Sequence, residues 1–176
     1  IKETSKEMID RFSKLGIKTI LLTGDKKQVA EKLSNELNIS SYKYELLPQE
    51  KVKYLEIEMK ENKANTAFMG DGINDAASIR YSDVGIAMGG IGSDIAVENA
   101  DIVLMTDEPI KLFDAYKISK MTRNTAIFNI IFSLIIKFSI IILAAIFQDK
   151  FPMFVAVLAN TGLTILMVIN SLLLLY

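Results

Sequence analysis

The chain has 176 residues, a net charge of −1 and 51% hydrophobic residues, and it contains neither cysteine nor histidine. Their absence excludes disulfides, thiolate chemistry and zinc sites of the usual Cys/His type within this sequence. From residue 124 onward the charged residues are Lys137, Asp149 and Lys150. No basic face with interleaved aromatic residues is visible, so we expect no nucleic-acid partner. Composition instead indicates a polar first part followed by an apolar second part.

The first 108 residues alternate between helical and strand patterns. Apolar spacing predicts a helix carrying Met8, Ile9, Phe12 and Leu15, a second helix carrying Val29, Leu33 and Leu37, and further helices over 48–61, 75–81 and 93–98. Strands are predicted over 17–22, 66–69, 84–88 and 102–105, with a short edge strand over 42–46. Strands that alternate with helices indicate an α/β fold with a parallel, doubly wound sheet.

Two apolar runs, 126–147 and 154–175, follow a connecting segment over 109–125. Each run has about 22 residues and spans roughly 33 Å as a helix, enough to cross a bilayer core of about 30 Å. The short link over 148–153 predicts an antiparallel transmembrane hairpin. Basic residues before the first run place residues 1–125 in the cytoplasm of a multi-pass plasma-membrane protein. Because residues 110–151 include no glycine or proline, we expect the connecting segment to continue into the first span as one helix.

The segment Gly70-Asp71-Gly72-Ile73-Asn74-Asp75 lies between a predicted strand and a predicted helix. Asp71 and Asp75 offer carboxylates, and Mg²⁺ typically takes one or two of these together with water and phosphate oxygens. Gly72 lets the backbone turn sharply and approach a ligand closely. Asn74 lies where the helix begins, so free backbone N–H groups face any bound phosphate. Taken alone, the motif is equally compatible with a purely structural role as an Asp/Gly turn with a helix cap.

A second motif, Thr23-Gly24-Asp25, ends the strand predicted over 17–22. Ligands of doubly wound sheets bind outside the carboxyl ends of the strands, where both motifs lie. Thr23 offers a hydroxyl to a phosphoryl oxygen, Gly24 permits the tight turn, and Asp25 leads into the next helix. Lys51 falls in the first turn of a helix that starts at Pro48, where the helix dipole disfavours a cation. An exposed surface lysine is the alternative there, but beside the two motifs a phosphate-neutralising role is favoured.

The order Thr-Gly-Asp, then Pro-Gln-Glu-Lys, then Gly-Asp-Gly-Ile-Asn-Asp-Ala-Ala-Ser resembles the phosphorylation domain of the P-type ATPases, within the haloacid dehalogenase superfamily. The resemblance implies a haloacid-dehalogenase-like domain over 1–108, with Mg²⁺ and ATP as cofactors and ATP bound mainly by a domain outside this chain. It also implies that Asp71 is a Mg²⁺ ligand with Asp75 as its close neighbour. Departures from the family pattern are Lys26, Ala77 and Ser78.

The same resemblance assigns the remaining site residues. Thr23, Lys51 and Asn74 are expected to contact a phosphoryl group carried by an aspartate. Gly24 and Asp25 complete the first motif, and Gly72 contributes to the phosphate environment. These roles are implied by the family.

The membrane part has its own candidate residues. Lys137 lies near the middle of the first span, where a cation is costly and must face protein or water. Asn129 and Ser133 share its helix face, and Asn160 on the returning helix lies within roughly 6 Å of its depth. For these polar residues the alternative role is only to bond the two helices together.

Lys137, with Ala159-Asn160-Thr161-Gly162 and Asn170, is similar to the zinc/cadmium/lead-exporting branch of the heavy-metal P-type ATPases. The resemblance implies a transport-site region at Lys137 and Asn160. That branch carries aspartate at the position of Asn160. An amide has no charge to attract a metal or pair with a lysine, so the transported metal stays open. The copper branch is less favoured because the last span has no Met/Ser cluster.

We expect the C-terminal portion of an ATP-driven heavy-metal exporter, whose partners are the lipid bilayer, a divalent heavy-metal cation and the remainder of the same pump. The sequence begins without methionine, within a helical pattern, and contains no Asp-Lys-Thr-Gly-Thr or Cys-Pro-Cys motif. The isolated chain is therefore expected to be inactive. Two alternatives remain: a membrane-tethered phosphatase of the same superfamily, and a non-enzymatic membrane module from a truncated gene.

Overall fold

A computed structural model describes residues 3–62, 65–70, 72–88, 94–106, 108–147 and 153–175. The chain divides into two units, Ile1–Asp114 and Ala115–Tyr176. In chain order the helices are α1 (Glu3–Lys14), α2 (Lys27–Glu36), α3 (Pro48–Asn62), α4 (Ala76–Tyr81), α5 (Asp94–Glu98), α6 (Lys111–Phe147) and α7 (Met153–Leu172). The strands are β1 (Ile20–Leu22), β2 (Ser41–Lys43), β3 (Ala67–Gly70), β4 (Val84–Met88) and β5 (Ile102–Leu104). Short 3₁₀ turns cover Ile73–Asp75 and Leu173–Leu175.

The strands of the first unit pair in parallel, which confirms the predicted α/β fold. β1 pairs with β2, with Leu21 opposite Tyr42. β3, β4 and β5 form a second sheet in that order. The sequence predicted one sheet, whereas the described strands form two, because no described strand hydrogen-bonds to the other edge of β1 or of β3.

β1 is shorter than the predicted strand over 17–22 because residues 15–17 end the preceding helix. Gly16 has a φ of 75°, a left-handed conformation typical of a residue just after a helix. The backbone N–H of Ile17 then donates to the carbonyl of Phe12 at 3.1 Å, and that of Gly16 donates to Ser13 at 2.9 Å. Ile17 therefore satisfies a helix carbonyl and does not extend the sheet.

The buried face of α2 differs in part from the predicted one. Leu37 is buried as predicted, but the side chain of Val29, also placed on the apolar face, is 52% exposed. Ala30 and Ser34 are buried instead of Val29. Ala30 and Ser34 are small, so the rest of the domain can approach the helix closely along this face, and packing rather than hydrophobicity decides which side is buried.

The core beneath the second sheet is built from Ile79, Ala87 and Ala96, with Phe68 packed against them. Gly85 is essential to this packing, since a Cβ at that position would meet the carbonyl oxygen of Ile79. α4 therefore lies directly on β4, and this contact fixes the start of α4 at the carboxyl end of β3.

The second unit is a helical hairpin with apolar surfaces. α6 has 37 residues without interruption, as its lack of glycine and proline predicted, and α7 has 20. Both are long and apolar enough to cross a membrane. The second predicted span, 154–175, is α-helical only to Leu172 and ends in a 3₁₀ turn. Of the predicted link over 148–153, Met153 begins α7, and residues 148–152 lie outside the described residues.

Candidate active site and membrane site

An ion pair marks the carboxyl end of β3. Lys51 Nζ lies 2.7 Å from Asp75 Oδ1, and the two side chains are only 12% and 15% exposed. The structure therefore brings together two of the predicted site residues, which are 24 positions apart in sequence. This contact uses one oxygen of Asp75 and one of the three ammonium protons of Lys51, so both groups keep capacity for a further partner.

The start of α3 positions Lys51. Pro48 occupies the first helical position, as predicted, and the carbonyl of Leu47 accepts from the backbone N–H groups of Glu50 (2.9 Å) and Lys51 (3.1 Å). Glu50 Oε2 accepts from the backbone N–H of Leu47 at 2.8 Å, as in a capping box. The carboxylate of Glu50 also lies where it offsets the positive end of the helix dipole, which disfavours the lysine.

Gly70 positions Asp75, the partner of Lys51. A Cβ at position 70 would lie 2.5 Å from Asp75 Cβ, so the side chain packs directly against the backbone at the end of β3. The 3₁₀ turn and the start of α4 then follow at once, as the sequence predicted for Asn74 and Asp75. Asp71, the predicted Mg²⁺ ligand, lies outside the described residues.

Thr23 and Asp25 form a self-contained turn after β1. Thr23 Oγ1 donates to Asp25 Oδ2 and accepts from the backbone N–H of Asp25, both at 3.1 Å. Gly24 lies against the carbonyl oxygen of Leu46, which a Cβ would approach to 3.3 Å. Thr23, Gly24 and Asp25 thus form the turn that was predicted at the end of the strand, with glycine where the carbonyl of Leu46 comes close.

The segment before α3 joins this turn to the helix that carries Lys51. The N–H of Leu46 donates to the carbonyl of Thr23 at 3.1 Å, and that of Glu45 donates to the carbonyl of Asp25 at 2.9 Å. Glu45 has a φ of 56°, unusual for a residue other than glycine. The Thr23 turn is therefore tied to the N-terminus of α3, although Thr23 itself does not hydrogen-bond to Lys51 or Asp75 among the described residues.

Two residues that position the site, Glu50 and Glu45, were not predicted from the sequence. Glu50 had a detectable signal, since a glutamate at the third helical position after a proline is typical of a capped helix start. Glu45 had none, because a left-handed conformation at a glutamate depends on tertiary contacts. Asn74, by contrast, was predicted and lies exposed at the site.

In the hairpin, Lys137 and Asn160 are both exposed and have no hydrogen bond to each other in the described part of the chain. The cross-helix contacts lie elsewhere: Asn129 Nδ2 donates to Ser171 Oγ at 3.0 Å, and Asn170 Nδ2 donates to Asn129 Oδ1 at 2.7 Å. The pairing of Lys137 with Asn160 therefore stays a prediction.

Comparison with known proteins agrees with both units. Residues 1–83 match the haloacid dehalogenase-like hydrolase family. The chain is 43% identical over 173 residues to a probable cadmium-transporting ATPase of Staphylococcus aureus, covering 98% of this chain and 23% of that protein. It is 42% identical over 173 residues to a zinc-transporting ATPase of Synechocystis, covering 97% of this chain and 24% of that protein.

A solved structure extends the match to the whole chain. The crystal structure of a zinc-transporting PIB-type ATPase in the E2.Pi state superposes with a TM-score of 0.88 at 32% identity, covering 100% of this chain and 28% of that one. The chain thus spans about a quarter of the length of the relatives it matches. The resemblance stated from the sequence is confirmed: over nearly its whole length the chain is similar to cadmium- and zinc-transporting P-type ATPases, and it matches the C-terminal part of a PIB-type ATPase structure.

Proposed function

We propose that this chain is the C-terminal part of an ATP-driven exporter of divalent heavy-metal cations, with Zn²⁺, Cd²⁺ or Pb²⁺ as substrate. The observation that carries the proposal is the part-buried Lys51–Asp75 pair at the carboxyl end of β3, in a chain similar over nearly its whole length to metal-transporting ATPases. In this pump the first unit turns over an aspartyl phosphate, and the hairpin forms part of the path of the metal.

The site residues divide into phosphate-binding and metal-binding groups by their chemistry. Lys51 keeps two ammonium protons for phosphoryl oxygens, while Asp75 holds it in place. The exposed amide of Asn74 adds a neutral hydrogen-bond donor. The hydroxyl of Thr23 would donate to a phosphoryl oxygen in place of Asp25 Oδ2, which accepts its single proton in this structure. Gly24, Asp25 and Gly72 shape the turns around these groups.

The carboxylates fit Mg²⁺, which prefers hard oxygen ligands and keeps several waters. The free oxygen of Asp75 and the carboxylate of Asp71 would hold it, with Asp71 as the main ligand. Bound there, Mg²⁺ would neutralise the charge that develops on the phosphoryl group.

The acceptor aspartate and most of the ATP site belong to parts of the pump outside this sequence, which has no Asp-Lys-Thr-Gly-Thr motif. A strand that carries the acceptor fits between β1 and β3, since each pairs on only one edge within the described residues. Its carboxyl end would then lie between Thr23 and Asp75. The domain bounds proposed for the chain are 1–108, 109–125 and 126–176.

The proposal is tested with the full-length pump in proteoliposomes. Asp71→Asn should remove most of the Mg²⁺-dependent, metal-stimulated ATP hydrolysis, because it removes a charged ligand without changing shape. The 176-residue chain alone should form no phosphoenzyme. ATPase activity retained in Asp71→Asn, or a phosphoenzyme on the isolated chain, would contradict these assignments.

At the membrane site we propose that Lys137 and Asn160 face each other near the path of the metal. The contacts of Asn129 with Met167 and Ser171 define a common level on the two helices. From that level Lys137 and Asn160 each lie roughly 10–17 Å towards the connecting link, which supports a similar depth for the two residues. Asn160→Asp should form an ion pair with Lys137 and raise divalent-metal affinity.

The four combinations of Lys137→Ala and Asn160→Asp measure this coupling as zinc- and cadmium-stimulated ATPase. Lys137→Ala should be tolerated better with the natural Asn160 than with Asn160→Asp, since the second combination leaves a carboxylate unpaired. Simple addition of the two effects would mean that the residues do not interact.

A further inference from the structure

Three polar residues join the two helices of the hairpin. Asn129 Nδ2 donates to Ser171 Oγ at 3.0 Å and to the backbone carbonyl of Met167 at 3.4 Å. Asn129 Oδ1 accepts from Asn170 Nδ2 at 2.7 Å. Both ends of the Asn129 amide are therefore used, and within the described residues its side-chain partners lie on α7.

Other hydroxyls of the hairpin behave differently. Ser133 donates to the carbonyl of Ile130 at 2.9 Å, and Thr164 donates to that of Asn160 at 3.0 Å. Ser139 and Thr161 likewise donate to carbonyls of their own helix. These groups are satisfied within one helix, so they place no constraint on the other, whereas in the described part of the chain the Asn129 amide is satisfied by α7.

This cluster lies far from the link that connects the two helices. Asn129 lies about 18 residues before the end of α6 and Ser171 about 18 residues after the start of α7, roughly 27 Å from the connecting link in each case. The link joins one end of the hairpin, and the cluster joins the other. Lys137 and Asn160 lie between these two points.

The cluster also selects the face of α7 that is turned towards α6. Asn160 precedes Met167 by seven residues and Ser171 by eleven, so at 3.6 residues per turn it lies within about 20° of both. A slip of one helical turn would move Asn160 by about 5.4 Å relative to Lys137. The depth and the face of Asn160 therefore both depend on the partners of Asn129.

We propose that Asn129, Asn170 and Ser171 form a register clasp: positioning residues that set the axial register of α7 against α6 and so hold Asn160 opposite Lys137. This inference rests on the proposed function for its effect on the metal. The clasp itself is independent of that function. In a bilayer the amides have no water to bond, which favours the cross-helix partners over separation.

The register is measured directly, without activity. The chain has no cysteine, so spin labels at Ile141→Cys and Val157→Cys, both exposed, report the distance between the helices in proteoliposomes by pulsed electron paramagnetic resonance. Asn129→Leu and Asn170→Leu should each shift or broaden the distance distribution by about 3 Å or more. A shift of about 3 Å is about half of the 5.4 Å helical pitch. Ser133→Ala, which loses only a bond within its own helix, is the matched control and should leave it unchanged.

The functional consequence is measured in the full-length pump. Asn129→Leu or Asn170→Leu should raise the KM for Zn²⁺ about three- to tenfold, the range for a cross-helix hydrogen bond in a membrane, with kcat changed less than about twofold. The double variant should be no worse than Asn129→Leu alone, because that substitution already removes the bond to Asn170 together with those to Ser171 and Met167. Exchanging the groups, Asn129→Ser with Ser171→Asn, should restore a crossing hydrogen bond and most of the wild-type KM.

The outcomes separate the two claims. An unchanged distance distribution in Asn129→Leu, or an equal change in Ser133→Ala, overturns the clasp. A distance change with an unaltered KM for Zn²⁺ overturns its role in positioning Asn160. If the substitutions change the distance distribution but the wild-type pump has no metal-stimulated ATPase at all, the clasp stands and the proposed function fails.

Discussion

Gly70 and Asp75 are in such close contact that a side chain at position 70 has no room. The atom nearest to an added Cβ is Asp75 Cβ, which cannot rotate away as the end of a flexible side chain can. Asp75 in turn holds Lys51. The geometry of the site therefore depends on the absence of one methyl group.

Gly70→Ala is expected to displace Asp75 and lower the metal-stimulated ATPase of the full-length pump at least about tenfold, with a stability loss of about 1–3 kcal/mol from overpacking. Gly72→Ala is the matched control for folding, since the nearest atom to its added Cβ would be 3.9 Å away. The free energy of unfolding of Gly72→Ala should lie within about 0.5 kcal/mol of the wild-type value. Normal turnover in Gly70→Ala would show that Asp75 can move without loss.

Ser78 is a fully buried serine whose hydroxyl has no hydrogen-bond partner in the described part of the chain. Its replacement by alanine removes an unsatisfied polar group, so Ser78→Ala should stabilise the protein by about 1 kcal/mol. Ser82, four residues on, donates to the carbonyl of Ile79 at 2.8 Å, so Ser82→Ala should instead be destabilising. Thermal unfolding of the detergent-purified chain measures both, and a destabilised Ser78→Ala would reveal a partner for that hydroxyl.

Among the elements, α1 packs on the first turn of α6. The rings of Phe12 and Phe113 meet edge to face, with centroids 5.4 Å apart, and the guanidinium of Arg11 lies 5.2 Å from the Phe113 centroid. Both phenylalanines are buried. The start of α6 therefore belongs to the core of the first unit, although most of the helix is apolar and exposed.

Phe113→Ala should destabilise the protein by about 3 kcal/mol, because it leaves a cavity and removes the aromatic contact. Phe113→Leu keeps most of the apolar volume and should cost about 1 kcal/mol. Ile118→Ala, at a position 64% exposed, serves as the control and should change stability little. Equal effects of the leucine and alanine variants in thermal unfolding would mean that the cavity is not the cause.

For the molecule as a whole, the contrast between a charged first unit and an apolar hairpin determines how it can be inserted in a membrane. Basic residues near the start of α6 precede the first span: Lys111, Lys117, Lys120 and Arg123. By the positive-inside rule they favour a cytoplasmic location for that end of the helix. We therefore predict that the second span returns to the same side.

This orientation predicts a labelling pattern in intact cells. A single cysteine at Asp149 should react with an impermeant thiol reagent from outside, and one at Thr122 should react only after the membrane is permeabilised. The chain has no native cysteine, so no background reaction from it interferes. The reverse pattern would contradict the orientation.

Short-range signals in the sequence alone predicted where several helices and strands of this protein begin or end. Pro48 marked the start of α3, the glycine- and proline-free run predicted one continuous α6, and the Thr23 and Asp75 motifs identified the ends of β1 and β3. These features depend on backbone conformation and hydropathy over a few neighbouring residues, which the sequence states directly.

Contacts between distant residues were decided only by the tertiary structure. Lys51 meets Asp75 across 24 positions, and Asn129 meets Asn170 across 41. Packing turned Ala30 and Ser34 inward where hydropathy favoured Val29, and hydrogen bonding divided the strands into two sheets. The local pattern did not specify these outcomes, because close packing selected the buried face of α2 and hydrogen bonds between distant residues selected the other contacts.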